Sequence, residues 1–482
     1  MSDPRSALQT KFADEHRFAN FGHVLMQMHV QGFRCHSNTL VEIRSPITAF
    51  CGLNGTGKST LLQLASVAYT SPDQNWPTYY VRTFLNAGTL DPNPFADAAR
   101  VEYKFWQEDR SLKSLTISRG ASKWSGYTRR LQRVVQFAWV ACYLPWIEQR
   151  DAVARHVNEL TVENSEDVAA HIKTWTCRVL DRQYDRMQMN TVSYANQRRA
   201  VARVRRGASE YSEAHMGYGE ARSQYLIQTI ESLPVKSLVL IEEPEISLHS
   251  HAQHEFGGYL VDVSSRKGHQ VFVTTHSEPM LAALPSESRV YLHSGPNGID
   301  VIRGLTAVEA NSLMTKGHDK ALQILVEDEV ALAILTEMLR KGDGTLLSTV
   351  GIHAAGGASE ISAAIKTIAA TGLPIAAVLD GDKAANPRAN IFKLPGTRPP
   401  ERELFDSAAV RDLIRESYGL ELRDFEAGLA GVDHHEWCER LAARIHQTEA
   451  ALVSEMARVY VKALPEIETT SLSQLIKEAS RK

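Results

Sequence analysis

Pro46-Ile47-Thr48-Ala49-Phe50-Cys51-Gly52-Leu53-Asn54-Gly55-Thr56-Gly57-Lys58-Ser59-Thr60 is the stretch on which the reading of this 482-residue chain turns. It begins as an apolar run of strand character, passes through three glycines, and continues into STLLQLASVAY, where apolar residues recur with helical spacing. A strand that turns through GxxxxGKS into a helix has a physical use. The glycines let the backbone curl until several N–H groups converge at the positive end of the helix, which makes a concave anion site. Asn54, Gly55, Thr56 and Gly57 form the cradle, and Thr60 follows it. The Lys58 ammonium is the group to reach the β- and γ-phosphates of a nucleotide, and the Ser59 hydroxyl the group to hold Mg²⁺. ATP with Mg²⁺ is therefore the expected cofactor.

Outward from this loop, short apolar runs between Val24 and Phe50 read as strands feeding the sheet. Downstream, KSLVLIEEPE is a buried strand ending in two acids, and QVFVTTHS is another strand after a helical segment. A doubly wound parallel α/β sheet places such strand ends beside the phosphate loop. Glu242 is then expected in the Mg²⁺ shell, and Glu243 as the carboxylate that orients or deprotonates the attacking water. His276, 33 residues beyond Glu243 and at a strand end, is expected to sense the γ-phosphate.

These residues resemble the ABC-type ATPases of the Rad50, SMC and OLD (overcoming lysogenization defect) group. The resemblance rests on Gly52 to Ser59, on IEEPEISLH, on TTHS around His276, and on Met216-Gly217-Tyr218-Gly219-Glu220 in the signature position. It implies that two ATPase domains pair head to tail, as a homodimer or higher even oligomer. Gly217, Gly219 and Glu220 would then complete the partner's ATP site. The family's signature serine is replaced by Gly217, so a hydroxyl contact across the dimer is missing.

Near residue 320 a second, smaller strand-and-helix alternation begins, with QILVE, TVGIHAAGG and PIAAVLDGD as strands. Glu327 ends the first of these, and Asp380 and Asp382 end the third, 53 residues after Glu327, so the three acids share one carboxyl edge. Such an oxygen set suits Mg²⁺ or Mn²⁺, and a pair of ions there would stabilise both oxygens of a phosphodiester displacement. The one-Glu and DxD pattern is similar to the Toprim fold, and Toprim after an ABC ATPase resembles the OLD-family nucleases. That resemblance implies a metal-dependent nuclease acting on nucleic acid, DNA ahead of RNA, in prokaryotic antiphage defence, alongside a partner protein of the defence system. The family's further acid four residues after the first Glu is Ala331 here, with Asp328 or Glu329 as substitutes. Glu401, Glu403 and Lys462 stand either as late contributors to this site or, the better reading, as ordinary surface charge; Asp433, His434, His435 and Cys438 invite a zinc reading, set aside because adjacent histidines rarely face one ion and no matching second pair follows.

The resulting organisation is a polar segment at 1–22, an ABC-type ATPase domain at 23–315, a Rossmann-like Toprim domain at 316–410, and a helical region at 411–482. Within the ATPase domain, residues 125–205 read as a mostly helical, arginine-rich insertion, with Arg178, Arg182 and Arg186 on one helical face. Arg198, Arg199, Arg203, Arg205 and Arg206 add to it, as a basic patch for phosphates or a solvated, ion-paired arm in equal measure. Composition is that of a soluble globular chain, 43% hydrophobic and 23% charged, with a formal net charge of −3. No apolar run reaches membrane-spanning length, the start lacks the order of a secretory signal, and the scattered cysteines argue against a disulfide framework, so a cytoplasmic location without membrane partners is expected. The competing reading is a Rad50- or SMC-like clamp with a vestigial Toprim domain and a separate effector. The 160 residues between Gly57 and Gly217 are too few for a long coiled coil.

Overall fold

The structure is a computed structural model and describes residues 3–121, 123–144 and 156–481. The chain divides into two compact units, Met1–Asn311 and Ser312–Lys482.

The larger unit is built on a six-stranded sheet in the order Gly298–Arg303, Arg289–Gly295, Ile47–Gly52, Gln270–Thr274, Leu238–Glu242, Val135–Ala138. All neighbours are parallel except the edge strand Gly298–Arg303. Ile47–Gly52 and Gln270–Thr274 are buried at every position, as strands covered on both faces must be. A five-stranded antiparallel sheet, from His36–Glu42 to Trp124–Ser125, forms a second layer. The helix Lys58–Ser66 joins both layers into one core: its Leu61, Leu62 and Leu64 cluster with Met28 and Val30 of one sheet and Phe50, Leu240 and Phe272 of the other. Register then positions the site. Glu242 pairs with Thr274, and Thr274 with Phe50, so the loops after these three strands leave from one edge.

Two expectations are corrected here. The segment 1–22 is not merely polar: helices Pro4–Phe12 and Arg17–Phe21 bury Leu8, Phe12 and Phe21, and the Arg17 guanidinium lies 4.3 Å over the Trp106 ring. The stretch 125–205 is not mostly helical. Its described residues hold one α-helix, Ala170–Leu180, and contribute Thr161–Asp167, Arg186–Tyr194 and most of Gln197–Arg206 to a four-stranded antiparallel sheet; residues 145–155 lie outside the described set. Period decides against propensity: Val201, Ala202 and Val204 are buried, and Arg203 and Arg205 between and after them are exposed, the alternation of a half-buried strand. Arg178 is therefore on the helix, Arg182 beyond its end and Arg186 on a strand, and they share no helical face. The arginines are also largely neutralised, Arg178 by Glu255, Arg182 by Glu220, Arg186 by Asp167, Arg198 by Glu163, Arg199 by Glu213 and Arg203 by Glu210.

The smaller unit holds a four-stranded parallel sheet in the order Val350–Ala354, Leu322–Val326, Ile375–Leu379, Ile391–Lys393. The helices after residue 411 are not a separate layer. Leu441, Met456 and Ile476 share one core with Ile324 of the sheet and with Ile334 and Leu335 of helix Glu329–Gly342. No helix among the described residues is long and apolar enough to cross a membrane.

Candidate functional site

At the edge of the larger sheet, Gly52 (φ +140°) and Gly57 (φ +80°) occupy backbone conformations that other residues rarely adopt. Space forbids a side chain as well. A Cβ on Gly57 would lie 2.1 Å from His36 Nε2, and one on Gly52 would lie 2.4 Å from the Leu292 carbonyl oxygen. The fully buried His36 bonds the Gly57 carbonyl at 3.1 Å and Thr39 Oγ1 at 3.1 Å, and burial lowers its pKa. Lys58, buried at the start of its helix, donates to the carbonyls of Gly52 and Leu53, both at 2.9 Å. Burial depresses its pKa, with Glu243 acting the other way. Thr56 Oγ1 donates to Leu53 O at 2.9 Å, Asn54, Gly55 and Ser59 are exposed at the rim, and Thr60 is buried. The loop is thus a cradle of backbone N–H groups with one ammonium folded across it, a shape and charge that fit a nucleotide's phosphates.

Glu242 closes its strand, and Glu243 follows with φ +43°, a strained value for a non-glycine residue. The strain is held in place. Glu243 N donates to Thr274 O at 3.0 Å, and the Arg222 guanidinium, 1% exposed, donates to the carbonyls of Glu243 at 2.7 Å and Glu242 at 3.0 Å. His276 follows the strand Gln270–Thr274, and its backbone N–H donates to Glu245 Oε1 at 2.7 Å, which also accepts from Thr275 Oγ1 at 2.7 Å. Burial raises the Glu245 pKa, and burial followed by Lys58 lowers that of His276. Two acids and an imidazole are therefore set around the loop lysine. His36, Arg222 and Glu245 are not picked out by the sequence, since each has a partner distant along the chain: Gly57 for His36, Glu242 and Glu243 for Arg222, and Thr275 and His276 for Glu245.

Gly217 caps the helix Tyr218–Ser232 in extended backbone, and a Cβ there would meet nothing within 4 Å. Gly219 has no such room, because a Cβ would fall 2.2 Å from Ser247 O. Both glycines line an open cavity of about 1040 Å³ with His215 and His249. Glu220, expected to face nucleotide, has its carboxylate occupied: Oε1 accepts from Tyr184 Oη at 2.7 Å and Tyr211 Oη at 3.0 Å, and Oε2 from Arg182 at 2.8 Å. It ties the helix Tyr218–Ser232 to the neighbouring antiparallel sheet.

In the smaller unit, Glu327 and Asp380 follow adjacent parallel strands, and Glu327 Oε1 accepts the Asp380 N–H at 2.9 Å. Asp380 is 3% exposed and its Oδ1 has no hydrogen-bond partner. Burial, then Glu327, Asp328, Glu401 and Asp382, push its pKa up to about 8. Asp382 pairs with Lys383 at 2.9 Å. Glu401, read as surface charge from sequence, is buried: its Oε1 meets His435 Nδ1 at 3.2 Å, its Oε2 has no partner, and burial, then Asp328, raise its pKa to about 7. Glu403 does take a structural part, accepting from the backbone of Thr397 at 3.1 Å and Arg398 at 3.2 Å. Among the described residues, the histidine, cysteine and acid group whose ligand atoms all lie within 4.8 Å of one another is Glu401, His434 and His435, and the trio Glu327, Asp380 and Asp382 is more open. Orphaned, mutually repelling carboxylate oxygens suit a divalent cation that takes oxygen ligands.

Residues 27–123 match the family model described as "AAA domain", and residues 163–283 match that described as "AAA domain, putative AbiEii toxin, Type IV TA system". No curated protein matches the chain. Among solved structures, the chain is similar to the SMC head domain from Thermotoga maritima at 13% identity, over 58% of this chain and 98% of that one, with a TM-score of 0.34. It is also similar to an Smc head bound to the C-winged helix domain of ScpA, at 12% identity over 58% and 97% with a TM-score of 0.40. A third is an Smc head with an extended coiled coil bound to the C-terminal domain of ScpA from Pyrococcus furiosus, at 12% identity over 61% and 99% with a TM-score of 0.39. The matches over residues 27–123 and 163–283 place AAA-type ATPase sequence, which implies nucleotide use, in the larger unit.

Proposed function

We propose that this chain is an ATP-hydrolysing, metal-dependent nuclease of OLD type, cytoplasmic and at least dimeric, cutting DNA ahead of RNA in prokaryotic antiphage defence. In this reading Lys58 and the loop N–H groups hold the phosphates, and Ser59 and Glu242 hold Mg²⁺. Glu243 takes the proton of the attacking water, and His276 contacts the γ-phosphate. Gly217 and Gly219 approach the partner's nucleotide, and the paired domains form a two-state clamp biased by ATP.

The observation that carries the nuclease half is Asp380. A carboxylate this buried, with an unpaired oxygen and four acidic neighbours, is costly by itself and is relieved by a divalent cation. Glu327, Asp380 and Asp382 would hold Mg²⁺ or Mn²⁺, which supplies charge stabilisation to a phosphodiester when bound. Glu327 contributes positioning too, since its carboxylate fixes the Asp380 backbone.

The test incubates the purified full chain with plasmid, linear DNA and total RNA, with Mg²⁺ or Mn²⁺, with and without ATP. Asp380→Ala combined with Asp382→Ala is expected to abolish cleavage while ATP turnover persists. Cutting that survives the double change removes the nuclease assignment. A wild-type chain that turns over ATP and cuts none of these substrates leaves the clamp reading in its place.

A further inference from the structure

Glu401, His434 and His435 lie beside the acid edge, and the proposed cutting step uses none of them. Their ligand atoms are all within 4.8 Å of one another. The donor atoms around one first-row ion lie about 3–4 Å apart, given bonds of roughly 2.0–2.2 Å, so small rotations of the imidazoles close the set. Glu401 is 1% exposed, and its Oε2 is buried without a hydrogen-bond partner while Oε1 faces His435 Nδ1 at 3.2 Å. Asp328 approaches the same imidazole from the end of strand Leu322–Val326. Its Oδ1 caps the helix Glu329–Gly342 by accepting from Ala331 N at 2.8 Å, and its Oδ2, also buried without a hydrogen-bond partner, lies 3.5 Å from His435 Nδ1. Carboxylate oxygens of Glu401 and Asp328 thus both face His435 Nδ1, each carboxylate carries a buried oxygen without a hydrogen-bond partner, and among the described residues neither has a lysine or arginine at ion-pair distance.

The sequence-level objection to neighbouring histidines is that a strand sends them to opposite faces and a helix turns them about 100° apart. Here they begin the short 3₁₀ turn His434–Glu436, and their ring centroids are 4.1 Å apart at 35°. The turn brings both imidazoles to one side. The His435 side chain is 55% exposed, so an ion reaches it directly from solvent.

We propose that Glu401, His434 and His435, with Asp328 as fourth ligand, hold one divalent transition-metal ion, Mn²⁺ or Zn²⁺ in preference to Mg²⁺. The donor chemistry sets that preference: two imidazole nitrogens beside two carboxylates suit ions that accept nitrogen, whereas Mg²⁺ keeps oxygen and water ligands. Because Asp328 directly follows Glu327, this ion would be the neighbour of the one held by Glu327, Asp380 and Asp382. Its use as the second ion of a cutting site rests on the nuclease reading, and its existence does not.

The experiment strips the full-length protein with a chelator and titrates Mn²⁺ in millimolar Mg²⁺, following the free aqueous Mn²⁺ signal by electron paramagnetic resonance. The wild-type chain is expected to retain one Mn²⁺ that Mg²⁺ does not displace and Zn²⁺ does. His435→Ala, at a half-exposed position, and Glu401→Gln, of nearly unchanged shape, should each weaken it at least about tenfold, with circular dichroism confirming the fold. Asp380→Ala with Asp382→Ala should keep it. No Mg²⁺-resistant Mn²⁺ in the wild type, or equal affinity in His435→Ala and Glu401→Gln, overturns the proposal. Cleavage is read separately: Mn²⁺ retained without any cutting removes the nuclease reading alone, and cutting without the Mg²⁺-resistant Mn²⁺ removes this site alone.

Discussion

At the nucleotide edge, Lys58 folds onto the carbonyls of Gly52 and Leu53, and the strained Glu243 backbone is held by Thr274 and Arg222. At the acid edge, Asp380 Oδ1, Asp328 Oδ2 and Glu401 Oε2 are buried without hydrogen-bond partners. Both edges are the carboxyl ends of parallel strands, yet one is shaped mainly by backbone geometry and the other by unrelieved charge. A phosphate cradle can be preorganised from N–H groups and glycines, because its ligand brings the negative charge. A cation site must gather negative charge before its ligand arrives, so it is strained when empty.

The largest expected effect tests the nucleotide side of this contrast. Glu243→Gln should cut ATP turnover by about 10²–10⁴, the range of general-base contributions, and accumulate ATP-bound dimers visible by size-exclusion chromatography. Turnover equal to wild type would show that another group takes the proton.

The acid edge should reveal itself through pH. With its pKa raised from 3.8 to about 8, Asp380 of the metal-free folded chain keeps a proton that the unfolded chain releases. Its contribution to stability is therefore full below about pH 4, falls as pH rises, and levels off above about 8. The melting temperature of the metal-free protein should decline across that window, each kcal/mol moving it by roughly 2–4 °C. Asp380→Asn should flatten the slope in part, since Glu401 has a raised pKa as well. An unchanged slope would mean that Asp380 is not charge-frustrated.

Arg222→Leu should be milder and confined to the nucleotide edge. It leaves two carbonyls without their donor, at a cost of roughly 1–3 kcal/mol in stability, and it should lower turnover by freeing the Glu243 backbone. Stability and turnover both at wild-type level would show that Thr274 suffices. The smallest effect is Gly217→Ser. The site has room for a Cβ, and serine caps a helix better than glycine by only a few tenths of a kcal/mol. The gain should instead be in ATP-dependent dimerisation, measured by light scattering, and a dimer no tighter than wild type would show that Gly217 does not face the partner's nucleotide.

The phosphate loop is legible in the sequence because GxxxxGKS is a local pattern whose strand-to-helix context lies within about twenty residues. The acids Glu327, Asp380 and Asp382 are legible as strand ends, again from local pattern. The insertion at 125–205 departs from its helical expectation, because arginine-rich segments carry helical propensity while burial alternating with every second residue governs the strand Gln197–Arg206. Glu401 and His435 can be named from the sequence but are outweighed there by blander readings, because only chain folding buries the one and turns the other to face it.

What the amino-acid order determined by itself is therefore the chemistry available at each strand end: glycines that permit a cradle, a lysine and a serine beside it, and carboxylates closing apolar runs. Tertiary structure decided which of those groups have partners. It consumed Glu220 in bonds to Arg182, Tyr184 and Tyr211, paired Arg178, Arg186, Arg198, Arg199 and Arg203 with acids as well, and brought Glu401, His434 and His435 together beside Asp328. The reason is physical. Backbone preference acts over a few residues and can be read along the chain, whereas desolvation and charge pairing depend on what packs within a few ångströms, from any distance in sequence.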